Sequence, residues 1–461
     1  MYRLNPRRLY AMDWAVRDEQ SVRRMERIVR GIGRDPKEVK VIAAEELPEV
    51  IRENRWIGEV RQGAYREIGD PDIIFNAFKW STPEERAQVA KSDLFKRCIA
   101  AHTSYGDCKQ WFTGGRIQAM LGIADFHHYE KRPGWDPGLV CWSLHDLHSA
   151  WGCAHRCAYC QRGSVYVINL NLEEFVEHVD QLLAEYPWQK TFRYDVEQDV
   201  LAIEPEYGAC EMLVRDFARR EGRYLILFSK SANVDHLLPL EHNGHTMMLW
   251  TLTTRTVSRR FEAKTGTMEE RIEAARKCRQ AGYTVRFKCK PIIPIRGWRE
   301  ETTEMLEHLY ARVQPDNISI ETVFFDSVAE MDDTLGLENL DPAFVAAAKE
   351  TEAKAGPKWP TGVHGQRPFP FEVKEQIYRH LISESRRISP TTPVTLCAET
   401  QRMWNALSDL LPWKPWDYIC NCGPHCPPHL RRLATVEGPD AARVEKARAE
   451  GGIAVGQPRK E

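Results

Sequence analysis

The sequence predicts an α/β fold: a partial (β/α)6 barrel of TIM type, with a helical amino-terminal extension and a small α/β carboxy-terminal unit. Three observations lead there. From about residue 138, short β-rich runs alternate with amphipathic helices over roughly 190 residues, the pattern of parallel β/α units. About six strands emerge from that alternation, fewer than a closed eight-fold barrel needs. No internal repeat at a solenoid period offers a rival architecture.

Taken in order, "GLVCWSL" reads as the first strand and a cysteine-rich loop follows it. "NLEEFVEHVDQLLAEYP" is the first helix, with Asn171 as its N-cap and Pro187 beyond its end. Strands are expected at "TFRYDVE", "YLILFSK", "TMMLWTLTT", "YTVRFKCKPII" and "NISIETVFF". Helices fit between most of them, notably "TMEERIEAARKCRQAG", which closes on Gly282. In such a barrel the active-site loops sit at the carboxyl ends of the strands, which places the cysteine loop on the catalytic face.

The barrel is assigned to residues 136–330. Residues 1–135 read as mostly helical and charge-rich: "DEQSVRRMERIVRGIG" sets Val22, Met25, Ile28 and Val29 on one face and ends at a glycine. Residues 331–435 form the carboxy-terminal unit, with a helix at "FEVKEQIYRHLISESRR", a strand at "PVTLCAE", a helix at "TQRMWNALSDLL" and then a second cysteine-rich loop. The stretch 436–461, charged and rich in Ala and Gly, reads as a disordered tail.

Sixty-four basic residues against 66 acidic ones give a net charge of -2. That balance makes no global case for nucleic acid, although a local basic groove is compatible with it. No run approaches the roughly 20 apolar residues of a membrane span, and the amino terminus has no apolar run of signal-peptide length. A cytoplasmic protein with no membrane partner is the expectation. The 13 cysteines, an odd number in a long chain, argue against a disulfide framework. Cys98, Cys210 and Cys278, among apolar or helical neighbours, read as small buried hydrophobes.

Two cysteine groups remain. "WGCAHRCAYCQRG" sets Cys153, Cys157 and Cys160 in a Cys-x3-Cys-x2-Cys spacing, with Tyr159 ahead of the last. A structural zinc site wants four ligands, so three clustered thiols are one short. A Cys-x2-Cys redox pair would leave Cys153 unexplained. A cluster of four irons held by three thiolates fits the count and leaves one iron free to chelate a small molecule. The second group, "DYICNCGPHCPPHL", offers Cys420, Cys422 and Cys426, with His425 and His429 nearby, in a loop that Pro424, Pro427 and Pro428 keep from being helical. Three thiols and a histidine suit zinc, with Cys397 as a candidate fourth thiolate; an auxiliary iron–sulfur cluster is the alternative.

The first motif, in a loop after the first strand of a partial barrel, resembles the radical S-adenosylmethionine superfamily. The resemblance implies a 4Fe–4S cluster on Cys153, Cys157 and Cys160, whose free iron binds S-adenosylmethionine. It implies a reducing partner such as flavodoxin or ferredoxin, and a 5′-deoxyadenosyl radical that abstracts hydrogen from a substrate. Residues 227–298, with "NVDHLL", "HNG", Glu-x-x-Thr, "RIEAA", "AGY" and a terminal "GW", are similar to the spore photoproduct lyase family, as is "DVLAIEPEYG" upstream. The family's S-adenosylmethionine contacts then fall on Tyr159, Gln198, Lys230 and Thr251, of which Gln198 departs in type. Lys230, ending an apolar strand, is placed to reach a carboxylate or adenosine oxygens at the barrel mouth.

Two positions set this chain apart from that family. Where the family's hydrogen-donor cysteine falls, the sequence has Val196; where a tyrosine follows the third cluster cysteine, it has Gln161. The expectation is a relative with another, unidentified substrate or another way to end the radical reaction. Glu197 and Asp199, near Asp195, are candidate acid/base groups, with loop capping as the other reading. A nucleic-acid photoproduct repair lyase with a different hydrogen donor is one alternative, with Arg255, Arg259 and Arg260 as a basic groove. A non-catalytic metal-binding protein is another.

Overall fold

The computed structural model describes residues 1–58, 61, 63, 69–101, 113–130, 139–355 and 368–450. Its amino-terminal region holds three parallel strands, β1 (Leu9–Met12), β2 (Lys40–Ile42) and β3 (Asp72–Asn76). The barrel sheet begins with an edge strand, β4 (His127–Glu130), antiparallel to β5 (Leu144–Leu147). After β6 (Ala150–Trp151) and β7 (Val165–Asn169) come the parallel strands β8 (Thr191–Tyr194), β9 (Tyr224–Ser229), β10 (Thr246–Thr251), β11 (Thr284–Ile292), β12 (Ile318–Thr322) and β13 (Val394–Leu396). The larger sheet runs β13-β12-β11-β10-β9-β8-β5-β4.

Six parallel strands, β5 and β8 to β12, are the partial barrel that the alternation predicts, and β13 extends it by one. Strands β8, β10 and β12 are buried along their whole length, as expected where helices cover one face and a packed interior the other. The crossover helix Met268–Gln280 starts at a capping box: the Thr267 hydroxyl accepts from Glu270 N, and the Glu270 carboxylate accepts from Thr267 N. It ends before Gly282, whose φ of +93° turns the chain into β11.

The amino-terminal region is not mostly helical. Its strands belong to a second sheet, β2-β1-β3-β7-β6, in which β3 pairs in parallel with β7 just after the cysteine loop. These strands are three to five residues long, too short for periodicity to distinguish from pieces of helix. The helix Glu19–Gly31 does form and buries Met25, Ile28 and Val29. Its Arg24 is buried against Glu173 at 2.7 Å, so this region is joined to the barrel rather than appended to it.

Three further boundaries move. The first barrel strand begins at Leu144, while Leu139–Val140 pairs antiparallel with Glu399–Thr400, because Ser143 N donates to Asp440 at 2.7 Å and takes that stretch off the sheet. The carboxy-terminal unit is part of the barrel edge through β13, and its helix Phe371–Ile388 lies on the helix Trp298–Tyr310, where Tyr310 OH meets Ser385 Oγ at 2.6 Å. The expected disordered tail is a helix over Ala441–Glu450 that buries Val444 and Ala447. Residues 451–461 lie outside the described residues. Among the described residues, no helix is long and apolar enough to cross a membrane.

Candidate active site at the carboxyl ends of the strands

The cysteine loop leaves β6 through Gly152, whose φ is +118° and where a Cβ would lie 2.4 Å from Val165 O. Only glycine lets the two backbones pass that closely. The loop is then clamped to the segment after β10: Arg156–Cys157 pairs antiparallel with Glu262–Ala263, and Ala158 N donates to Phe261 O at 2.7 Å. A turn from Cys160 N to Cys157 O, 2.9 Å, brings the second and third thiols round, and His155 N donates to Cys153 Sγ at 3.4 Å. None of the three cysteines is in a disulfide. Burial pushes the Cys153 and Cys157 thiols up, so ionised thiolates there need a cationic partner.

The three thiols line one cavity of about 160 Å³ with side chains from three strand ends: Val196, Gln198 and Asp199 after β8, Ser229 and Lys230 at β9, and Thr251 at β10. Lys230 Nζ lies 3.2 Å from Glu262 but makes no well-directed hydrogen bond, which leaves a buried ammonium for a ligand in the cavity. Glu262 itself is fully enclosed. Burial works against its charge, but Arg271 and Lys230 outweigh burial and hold its pKa down to about 2. Tyr159 OH also donates to Glu262, and Thr253 Oγ1 does so at 2.9 Å. This carboxylate therefore fixes the tyrosine, the lysine and the arginine around the second cysteine, Cys157.

The donor set fits a polynuclear cluster. Among the described residues, no three His, Cys, Asp or Glu side chains close round one metal ion. Three thiols that line one cavity match the ligand count of a 4Fe–4S cluster with one open iron, where a structural zinc wants a fourth protein ligand. His155, inside the motif, is engaged elsewhere: its Nε2 meets Ser231 Oγ at 2.9 Å and Asp199 at 3.3 Å.

The structure brings the expected ligand-binding residues Tyr159, Gln198, Lys230 and Thr251 together in this cavity. Gln198 is spoken for, accepting from Tyr166 OH and donating toward Ser149, Tyr194 and Asp195. Asp199 accepts from Ser229, Ser231 and Lys230 N. Burial alone would raise its pKa; the His155 charge and these hydrogen bonds outweigh it and hold the carboxylate well below the ordinary range. So held, Asp199 tethers the Lys230 backbone and the His155 ring at the cavity wall. Glu197 forms an ion pair with Arg162 beside Val196. Sequence reasoning assigned no role to Glu262 or Arg271, although both sit in the quoted Glu-x-x-Thr and "RIEAA" elements; the pairing of Glu262 with Cys157 is visible only in three dimensions.

The basic groove is largely spent. Arg255 pairs with Glu269 and Glu304, and Arg259 lies 3.9 Å from Glu269, while Arg260 is exposed. Cys420, Cys422 and Cys426 lie at the other end of the barrel, under the amino ends of the strands, where Thr191 Oγ1 donates to Gly423 O.

Residues 145–330 match the family model "Spore photoproduct lyase". Over 174 residues the chain is 30% identical to spore photoproduct lyase of Bacillus subtilis (strain 168), covering 36% of this chain and 51% of that one. Over 179 residues it is 26% identical to the Clostridium acetobutylicum enzyme, covering 37% and 53%. The chain thus spans about half the length of the curated relatives it matches. A solved structure of a spore photoproduct lyase mutant superposes with a TM-score of 0.54 at 15% identity, over 85% of this chain and 98% of that one. A second solved mutant, with bound AdoMet and dinucleoside spore photoproduct, gives 0.54 at 16% identity over the same shares. Over residues 145–330 the chain is thus similar in sequence to spore photoproduct lyases, and it shares their fold over most of its length.

Proposed function

We propose that this chain is a radical S-adenosylmethionine enzyme that abstracts hydrogen from a substrate other than the spore photoproduct. The observation that carries the reading is a single cavity in which three thiols of one loop face a buried, unsatisfied lysine ammonium. A 4Fe–4S cluster on Cys153, Cys157 and Cys160 supplies the electron that cleaves bound S-adenosylmethionine to start radical chemistry. Lys230 binds the carboxylate of S-adenosylmethionine, and Thr251 and Tyr159 shape the wall beside it. Glu262 holds Lys230 and Tyr159 in place, and Arg162 keeps Glu197 at the edge of the cavity as the group that binds or deprotonates a polar substrate. A flavodoxin or ferredoxin delivers the electron.

The departure from the spore photoproduct rests on Val196. It lines the cavity, and no thiol besides the three of the motif does so among the lining residues. Gln161, the other departure, is not among those residues. A photoproduct repair lyase with another hydrogen donor is the second reading, favoured by the solved relative with bound dinucleoside spore photoproduct. A non-catalytic iron–sulfur protein is the third. A second metal, zinc or an auxiliary iron–sulfur cluster on Cys420, Cys422 and Cys426, belongs to the same proposal as a centre remote from the reaction.

Anaerobically reconstituted, reduced protein is expected to convert S-adenosylmethionine to 5′-deoxyadenosine without repairing dinucleoside spore photoproduct. Repair of that dinucleotide would install the second reading, and no 5′-deoxyadenosine at all the third. Lys230→Met, which removes one charge-assisted contact of about 1.5–3 kcal/mol, is expected to weaken S-adenosylmethionine binding roughly 10- to 100-fold in equilibrium dialysis.

A further inference from the structure

At the amino ends of the barrel strands a second set of thiols is sealed inside the protein. The loop after Asp417 runs across this floor, tied by Lys190 N to Pro424 O at 2.8 Å, and by Arg286 to Asn421 O at 3.0 Å and Pro427 O at 2.9 Å. Cys420, Cys422 and Cys426 are buried in it, and Cys397, which follows β13 and packs beside Leu139 and Ala398, is buried within electrostatic reach of Cys420 and Cys422. Cys420 and Cys422 have their sulfurs 3.9 Å apart, and Cys420 N donates to Cys426 Sγ at 3.2 Å. At Gly423 a Cβ would lie 3.1 Å from Cys426 Sγ, so the glycine lets the backbone pass close beside the thiols.

Three cations point into this floor from the strands. Arg193 is paired with Asp146 at 2.8 Å, and Arg286 with Asp316, also at 2.8 Å. Lys288, 3% exposed, has no carboxylate within ion-pair distance among the described residues. Its ammonium lies 3.6 Å from Cys422 Sγ, and Arg193 Nη1 reaches the same sulfur at 3.7 Å. A buried ammonium without a counter-charge is costly, and the groups around this one that can become anionic are thiols. One lysine balances one thiolate, whereas several buried thiols gathered in one place form a ligand set for a soft cation. The histidines face elsewhere: His429 is exposed beside Asp316, and His425 lies between Trp142 and Trp188.

We propose that Cys397, Cys420, Cys422 and Cys426 hold an all-sulfur metal centre whose negative charge is balanced by Lys288 and Arg193. The inference rests on the second metal proposed above and adds to it the fourth ligand and the charge partner. Zinc and an iron–sulfur cluster share this thiolate chemistry. The 3.9 Å between the Cys420 and Cys422 sulfurs is the separation of two ligands of one zinc, so zinc meets that pair directly and a cluster requires them to spread.

Iron, sulfide and zinc are counted on the anaerobically purified full chain, with 5′-deoxyadenosine formation measured on the same preparation. About eight irons, or about four irons with one zinc, is the expected result, and the two arms tell cluster from zinc. About four irons and no zinc overturns both the inference and the second metal, while leaving the radical chemistry to its own assay. Cys397→Ser is expected to lose the second metal with 5′-deoxyadenosine formation retained. If that variant fails to fold, Lys288→Met carries the test: it is expected to release the second metal to a chelator at least about tenfold faster than wild type, with Lys288→Arg restoring retention. Full retention in Cys397→Ser, or an unchanged release rate in Lys288→Met, overturns the inference and leaves the second metal standing.

Discussion

The two ends of the barrel use the same residue types for opposite purposes. At the carboxyl end, three thiols line a cavity, and the cation beside them, Lys230, leans on Glu262 with a hydrogen-bonding direction to spare. At the amino end, buried thiols lie beside a buried cation, Lys288, whose ammonium is 3.6 Å from Cys422 Sγ. The upper arrangement can admit and release an anionic ligand, because Glu262 holds its lysine in the wall of a cavity. The lower one cannot exchange anything without opening the loop after Asp417. Cysteine count alone does not separate a reaction centre from a sealed one; the placement of carboxylates and empty space does.

The sharpest test of that contrast is Glu262→Gln. Removing one partner of a buried ion pair costs about 3–5 kcal/mol, because Arg271 keeps its charge in a place with no water. The loss is expected in denaturant unfolding. Iron is expected to fall at the upper site alone, since the Glu262 side chain holds Tyr159 and Lys230 beside the motif cysteines and the floor thiols lie at the other end of the barrel. Equal metal loss at both ends would erase the distinction.

His148 sharpens it from another side. It follows β5, and its ring is hydrogen-bonded to Asp195 just after β8, so it ties together the two strand ends that carry the cysteine loop and Glu197. Burial disfavours its charged form, but Asp195 outweighs burial and raises its pKa from 6.5 to about 9. A histidine with a raised folded-state pKa stabilises fully below its unfolded value and loses that contribution as the pH rises through the folded value. Wild type is therefore expected to exceed His148→Gln by up to roughly 3 kcal/mol near pH 6, with the gap closing as the pH passes about 9. A gap that stays constant across that window would show the imidazole to be neutral throughout.

Most of the barrel was legible in the sequence because long β/α alternation carries its own periodicity: all five strands anticipated from "TFRYDVE" to "NISIETVFF" are present. That the motif cysteines, Tyr159, Lys230 and Thr251 meet in one cavity was legible too, since strand ends and a cysteine loop converge by topology. The amino-terminal sheet was not, because strands as short as Lys40–Ile42 leave no pattern. Nor was the helix Ala441–Glu450, whose buried face is only Val444 and Ala447. Glu262 escaped for a different reason. A buried carboxylate is defined by the cations around it, and Lys230 and Arg271 reach it from separate elements. The same holds for Lys288, whose spacing in "YTVRFKCKPII" marks a strand residue and nothing more.

The smallest expected effect falls on the floor. At Gly423 an added methyl would lie 3.0 Å from Trp142 Cδ1 and 3.1 Å from both Cys420 Cβ and Cys426 Sγ. Trp142 cannot yield, because it is buried and stacked on Tyr418 with ring centroids 5.1 Å apart. The loop must shift instead, at the cost of about 1–3 kcal/mol typical of overpacking. Gly423→Ala is thus expected to unfold earlier in denaturant and to lose the floor metal faster to a chelator. Binding of S-adenosylmethionine is expected to stay as in wild type, because Gly423 lies at the amino ends of the strands and the upper cavity at their carboxyl ends. Were S-adenosylmethionine binding to weaken in step with metal loss from the floor, the two ends would be one coupled centre, and the contrast between a reactive mouth and a sealed floor would not hold.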